Sequence, residues 1–271
     1  MGDLVEKYDV KFKKKFGQNF LKDVNIVKKI VKVAGIESKS LVIEVGPGGA
    51  IMTRELALVS DNVLADEIDI DLKDELDKRI GDVDNINLLF QDFLNSDLCA
   101  DVSKYDYDNL YFVSNVPYYI TTPIIMKLIY SGLNFKKIVM MVQKEVGDRF
   151  STTFGSRDYG SISVLLQYYF DVKKEFLVSR NQFIPVPNVD SVIISFSQKK
   201  DKLPVFDLSF FEQVVRDSFQ FKRKNLRNNL KKYDLDIVSE VLDRFGEDLS
   251  VRAEALSVDV FVELANALYK K

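Results

Sequence analysis

Asn115-Val116-Pro117-Tyr118 is a run of residue types that can hold an exocyclic amine ready for group transfer. Pro117 biases Val116 away from the helical region and removes one N–H. The backbone carbonyl beside it and the Asn115 side-chain oxygen can then both face outward. Two acceptors meet one NH2 group. An adenine amino nitrogen has its lone pair delocalised into the ring and is a poor nucleophile. Acceptors on its hydrogens favour a more tetrahedral, more nucleophilic geometry. Tyr118 offers a flat surface for stacking the base, worth about 1–3 kcal/mol on aromatic platforms of this kind. A strand followed by an Asn-x-Pro turn and a core tyrosine would read the same way, so the tetrapeptide does not decide alone.

The element that must position these residues is a strand. Leu110–Ser114 is apolar, β-branched and aromatic, and it ends at Asn115. A second strand, Leu41–Val45, runs into Gly46-Pro47-Gly48-Gly49 and then into Ile51–Ala57, which has helical spacing. This is the first strand–turn–helix of a doubly wound sheet, where glycines let a ligand approach the backbone and a helix N-terminus offers free N–H groups. A dinucleotide fingerprint would need a further glycine where Ile51 stands, and Glu44 is acidic just before the turn, so a pyrophosphate is disfavoured. The zwitterionic methionine moiety of S-adenosylmethionine (SAM) suits an acidic, glycine-lined turn better.

Two more strand ends extend the pattern. Asn62–Asp69 carries Glu67, 23 residues after Glu44 and near the offset at which an acid reaches ribose hydroxyls in such folds. Taken alone Glu67 is weak, since residues 61–84 hold ten acids against three bases. Ile86–Phe90 is followed by Asp92, a carboxylate placed to accept from an adenine amine. Glycine turn, Glu, Asp and Asn-x-Pro-Tyr therefore end four strands in order.

With these motifs the chain resembles the SAM-dependent rRNA adenine N6-dimethyltransferases, and among them the KsgA type acting on small-subunit rRNA. The resemblance covers nearly the whole chain. It also includes Phe16–Leu21, Gln143–Arg149, Asp158–Val164, Phe183–Val192 and Phe221–Arg227. It implies an α/β fold, a Rossmann-like class I SAM-dependent methyltransferase sheet, with a small C-terminal all-helical domain. It implies that Asn19 and Leu21 close over the methionine moiety of SAM and that Gly46 lines it. Glu67 would bind the ribose hydroxyls and Asp92 the cofactor's adenine amine. Asn115 would contact both cofactor and target amine, with Pro117 shaping the turn and Tyr118 stacking on the target base. The implied product is N6,N6-dimethyladenine at two adjacent adenines in the 3′-terminal hairpin loop of 16S rRNA. Two positions depart from the common pattern: Tyr119 stands where Asn is frequent, and Lys222-Arg223-Lys224-Asn225 replaces Arg-Arg-Lys-Thr.

Composition is compatible with this reading. The chain has 271 residues and 46% hydrophobic content, enough for one α/β domain and an appendage. Cys99 is the only cysteine, so no disulfide forms within the chain, which fits a reducing cytoplasm. There are no histidines, which excludes zinc sites of the usual kind, Ser-His-Asp hydrolysis and histidine general bases, and no metal is expected. No apolar run approaches a membrane span.

The net charge of −3 looks wrong for an RNA partner until it is mapped. Residues 1–32 carry nine lysines, among them Lys11, Lys13, Lys14 and Lys15, against four acids. Residues 217–233 carry Lys222, Arg223, Lys224, Arg227, Lys231 and Lys232 against Asp217 alone. Basic ends around an acidic middle suggest a nucleic-acid face, with Lys222, Arg223, Lys224 and Arg227 as RNA-binding residues. The expected partner is small-subunit rRNA within a pre-30S particle, bound by a monomer.

Strands are also expected over Lys136–Gln143, Ser161–Phe170 and Ser191–Ser197, and the polar run Gln198–Pro204 reads as a linker. Helical spacing follows at Ser209–Phe221, Asn225–Lys232, Leu235–Phe245 and Val258–Lys270. The expected division is a methyltransferase domain over 1–200 and a helical RNA-recognition domain over 201–271. Thr152–Gly160, polar with Gly and Ser, is expected to be mobile. Two other functions fit parts of the pattern: an Erm-type enzyme methylating an adenine of large-subunit rRNA, and a non-catalytic nucleic-acid-binding relative.

Overall fold

The computed structural model describes residues 19–269. The N-terminal lysines up to Lys15 and the Phe16-Gly17-Gln18 part of the first motif lie outside the described residues. The strands are β1 (Phe20–Leu21), β2 (Ser40–Val45), β3 (Asn62–Glu67), β4 (Ile86–Phe90), β5 (Asn109–Asn115), β6 (Phe135–Gln143), β7 (Phe170–Val178), β8 (Phe183–Ile184) and β9 (Ser191–Gln198). The helices are α1 (Val24–Ala34), α2 (Ile51–Ala57), α3 (Lys73–Ile80), α4 (Leu98–Val102), α5 (Thr121–Tyr130), α6 (Lys144–Ser151), α7 (Ser161–Tyr169), α8 (Leu208–Ser218), α9 (Leu226–Asn229), α10 (Leu235–Arg244) and α11 (Val258–Tyr269).

Seven strands form one sheet in the order β4-β3-β2-β5-β6-β9-β7, and β1 pairs with β8 in a separate two-stranded ribbon. The strands from β4 to β6 are parallel, and β9 lies antiparallel to β6. Near-continuous apolar runs such as Leu110–Val113 are what a strand covered on both faces needs. The order reverses between β2 and β5. Ligands of open α/β sheets bind outside the carboxyl ends at such a switch point.

Two compact units emerge, one of the described residues up to Gly147 with Lys173–Gln198, the other of Asp148–Val172 with the residues from Lys199 on. The segment 148–172 thus goes with the second unit, on the other side of the division expected at residue 200. Its helix α7 is the reason: Tyr168 packs its ring 4.9 Å from that of Phe211 on α8. Ser161–Tyr169 is accordingly a helix and not the expected strand. Ser163 is buried, accepts from the Gly160 N–H and donates to the Arg149 carbonyl at 2.6 Å, which fixes the first turn. The strand begins at Phe170 and runs through Asp171, Lys173, Lys174 and Glu175. These charges hid it from a hydrophobicity reading and suit a sheet edge, where they block pairing with another chain. Thr152–Gly160 is anchored within the second unit: the Gly155 N–H donates to the Glu254 carbonyl at 2.7 Å, and Tyr159 is buried edge-on against Phe219.

Of the expected C-terminal helices, Asn225–Lys232 contracts to α9, capped by the Asn225 side chain. No helix among the described residues is long and apolar enough to cross a membrane.

Candidate active site

The carboxyl ends of β2, β3, β4 and β5 converge on a cavity of about 230 Å³. Gly46, Glu67, Asp92 and Asn115, each from a different strand end, line it. Asn19 and Leu21 line it from β1 and the residue before, and Pro117, Tyr118 and Tyr119 line it from the turn after β5. The residues singled out on the four strand ends are therefore brought to one place.

Asn115 is half-buried, and its amide nitrogen donates to the Asn19 carbonyl at 3.1 Å. The opposite edge of the same amide, Oδ1, is thereby presented as an acceptor. Pro117 (φ −56°, ψ 132°) turns the chain into a single 3-10 turn, Tyr118–Ile120, whose first bond runs from the Ile120 N–H to the Pro117 carbonyl. The carbonyl one residue earlier, that of Val116, is left out of this turn and belongs to a residue lining the cavity. The candidate acceptors at this turn are the Asn115 side chain and the Val116 backbone.

The glycine turn is shaped by close approach. Gly48 has φ +53°, and a Cβ there would stand 2.3 Å from Cε1 of Phe20, so β1 can lie over the turn only on a glycine. Ala50, at φ +59°, takes the same left-handed region with its methyl buried beside Leu72, Leu76 and Ile80.

Four carboxylates sit in this wall. Glu67 is 4% exposed and accepts from the Asp69 N–H at 2.9 Å and the Gly48 N–H at 3.3 Å. Burial raises its pKa above the usual carboxylate range against those bonds. Glu44 is fully buried and its pKa is pushed up to about 8, by burial first and by the neighbouring Glu67 carboxylate as well. Its Oε2 has no hydrogen-bond partner among the described residues. A buried acid with one unpartnered oxygen beside a glycine turn fits the ammonium of a zwitterion. Asp66, behind Glu67, accepts from Gln91 at 2.5 Å, and burial lifts it to about 6. Asp92 is tied to its own turn, accepting from the Leu94 N–H at 2.9 Å and from Asn95 at 2.7 Å.

The Phe183–Val192 segment supports this wall. β8 pairs with β1 in the register Phe20 to Ile184 and Leu21 to Phe183, which holds the strand that covers the glycine turn. The Asp190 side chain accepts from the Arg180 N–H at 2.9 Å, and its carbonyl accepts from the Lys144 N–H. Ser191, fully buried, meets the Tyr118 hydroxyl at 2.7 Å and fixes the far end of that ring. Ser191 is the positioning residue that sequence reasoning missed; its sole signal was its place in the segment. On α6, a Cβ at Gly147 would stand 2.2 Å from Cγ1 of Val192, so that helix too packs against β9 through a glycine.

In the second unit, Phe221, Lys222, Arg223, Lys224 and Arg227 are exposed on and beside the loop between α8 and α9. Asn229, 5% exposed, holds that loop from within. Its oxygen accepts from the Phe221 N–H at 3.1 Å, and its nitrogen donates to the Ser218 carbonyl at 2.7 Å and to those of Phe221 and Lys224 at 3.4 Å. Lys232 is engaged with Asp217 at 2.8 Å, so its charge is already met within the unit.

A parallel sheet with its switch point between β2 and β5, an antiparallel strand inserted beside β6 and a glycine-lined cavity at the strand ends define a class I SAM-dependent methyltransferase. The sequence narrows this further. The ribosomal RNA adenine dimethylase family model matches residues 9–270, and the chain belongs to that family. It is 43% identical over 274 residues to ribosomal RNA small subunit methyltransferase A of Streptococcus pneumoniae serotype 2 (strain D39 / NCTC 7466), covering 98% of this chain and 94% of that one. It is similar to a dimethyladenosine transferase from Plasmodium falciparum at 25% identity and a TM-score of 0.77, over 90% of this chain and 95% of the other. It is also similar to the 23S rRNA methyltransferase ErmE at 25% identity and a TM-score of 0.72, over 92% and 99%. The protein is thus an rRNA adenine dimethyltransferase that uses SAM.

Proposed function

We propose that this enzyme dimethylates the N6 amines of two adjacent adenines in the 3′-terminal hairpin loop of small-subunit rRNA, as a cytoplasmic monomer acting on a pre-30S particle. The observation that carries the chemistry is the Asn115 amide, whose nitrogen is held by the Asn19 carbonyl so that its oxygen is the edge offered to an amine. The name of the 43% identical relative supports the small-subunit choice.

SAM supplies a methyl group made electrophilic by its sulfonium. Leu21 and Asn19 would cover its methionine moiety, with Gly46 and Glu44 lining the same part of the cavity. Glu67 would accept from the ribose hydroxyls and Asp92 from the adenine amine. Tyr118, fixed by Ser191, would stack on the target base and set its plane. Asn115 Oδ1 and the Val116 carbonyl would then accept both N6 hydrogens, raising pyramidal character at nitrogen and aiming its lone pair. The N6 proton leaves to water after transfer, so no histidine base is needed. A flat ring and a backbone carbonyl present no wall against a first methyl group, which permits the second transfer. Lys222, Arg223, Lys224 and Arg227 would bind RNA phosphates.

Mass spectrometry of digested rRNA after reaction with unmodified ribosomal particles is the test. The expected product is N6,N6-dimethyladenine confined to small-subunit rRNA. Monomethyladenine alone at saturating SAM, or methylation confined to large-subunit rRNA, would overturn the reading.

The Glu67 role carries its own expectation. Glu67→Gln keeps the volume but replaces one accepting oxygen with a donor, so it is expected to weaken SAM binding about ten- to a hundred-fold, the size of a lost charge-assisted bond. Calorimetric titration measures this directly. Undiminished affinity would leave Glu67 only its bracing of the Gly48 turn.

A further inference from the structure

Tyr119 has no role in the chemistry above, yet it is 60% exposed and lines the same cavity as Tyr118. An exposed tyrosine is ordinary on a protein surface. Its place is what matters. Tyr118 and Tyr119 are successive residues of one 3-10 turn, and at about three residues per turn their side chains leave the backbone roughly 120° apart. Tyr118 is half-buried and held by Ser191, and the Thr121 hydroxyl donates to the Tyr118 carbonyl at 3.2 Å. The backbone that carries Tyr119 is therefore fixed, while its ring stands free at the rim.

A target adenine reaches this cavity only by leaving its stack. The nucleotide beside it then loses a stacking partner. We infer that Tyr119 is a second base platform, stacking on the nucleotide adjacent to the target adenine while Tyr118 stacks on the target itself. The inference rests on the RNA reading above, under which that neighbour is the other adenine to be methylated. The two rings would divide an adenine pair between cavity and rim, and exchanging the bases would present the second amine without release of the particle.

The test uses the full-length enzyme and small-subunit particles lacking the modification, with kcat, KM for the particle and SAM affinity measured separately. Tyr119→Ala is expected to raise KM about ten-fold, within the range found for loss of one base stack, while kcat and SAM affinity stay near wild type. Tyr119→Phe keeps the ring and is expected to restore KM. Replacing the neighbouring adenine with uracil, a weaker stacker, is expected to shrink the Tyr119→Ala effect. An unchanged KM in Tyr119→Ala, a Tyr119→Phe enzyme as impaired as the alanine variant, or a loss of SAM affinity would each overturn the inference. A failure of the RNA reading is told apart, because the wild-type enzyme itself would then leave these particles unmethylated.

Discussion

Asn115→Ala is expected to lower kcat about a hundred- to a thousand-fold, the effect of deleting one preorganised polar group aimed at a reacting centre. Affinity for the ribosomal particle is expected to change far less, because the oxygen acts on the amine as it becomes tetrahedral and little on the bound ground state. The structure adds a discriminating variant. The Asn115 nitrogen donates to the Asn19 carbonyl, so the amide joins the strand over the glycine turn to the amine site. Asn115→Asp keeps an acceptor toward the amine but sets a carboxylate oxygen against the Asn19 carbonyl. It is expected to weaken SAM binding as well as slow transfer, whereas Asn115→Ala mainly slows transfer. Single-turnover rates with separately measured SAM affinities resolve the two. An alanine variant that transfers methyl groups at the wild-type rate would remove Asn115 from the chemistry.

Neutralising Lys222, Arg223, Lys224 and Arg227 together is expected to weaken particle binding by about two orders of magnitude at 0.1 M salt and to flatten the salt dependence by about 0.7–0.9 per lost phosphate contact. SAM affinity should not follow, since none of these side chains lines the cavity. Binding measured across a salt series gives the slope directly, and an unaltered slope would mean that these four residues are only a solvated surface. The net charge of −3 makes the expectation stringent: the acidic middle of the chain repels phosphate, so local basic clusters must supply the attraction.

What the sequence made legible follows from what each feature depends on. Strand ends carrying Gly46, Glu67, Asp92 and Asn115 could be read because each follows an apolar run of a parallel strand, a local signal, and a doubly wound sheet gathers such ends by its topology. Ser161–Tyr169 was misread because a short apolar run has no periodicity that separates a buried strand from a buried helix. Packing decided it, through Tyr168 against Phe211. β7 was missed for the converse reason, its charges being those of an edge. The ribbon of β1 and β8 joins residues about 160 positions apart, and two-residue strands leave no pattern at all. Ser191 and Asn229 belong to the same class. Each acts through a bond to a residue far from it in sequence or to a backbone carbonyl, and neither kind of partner is written in the run around it.

Asn229 has a consequence for how RNA is met. A basic loop that is loose before binding must be ordered by its partner, at about 1–2 kcal/mol of backbone entropy for each residue fixed. Here one buried amide already holds both polar groups of the Phe221 backbone and the Lys224 carbonyl. The ordering is completed when the unit folds. Under the proposed RNA contact, an arriving phosphate backbone would find cations on a set scaffold, with only their side-chain rotamers left to settle, and encounter and docking would be nearly a single event whose strength is governed by charge and little by rearrangement.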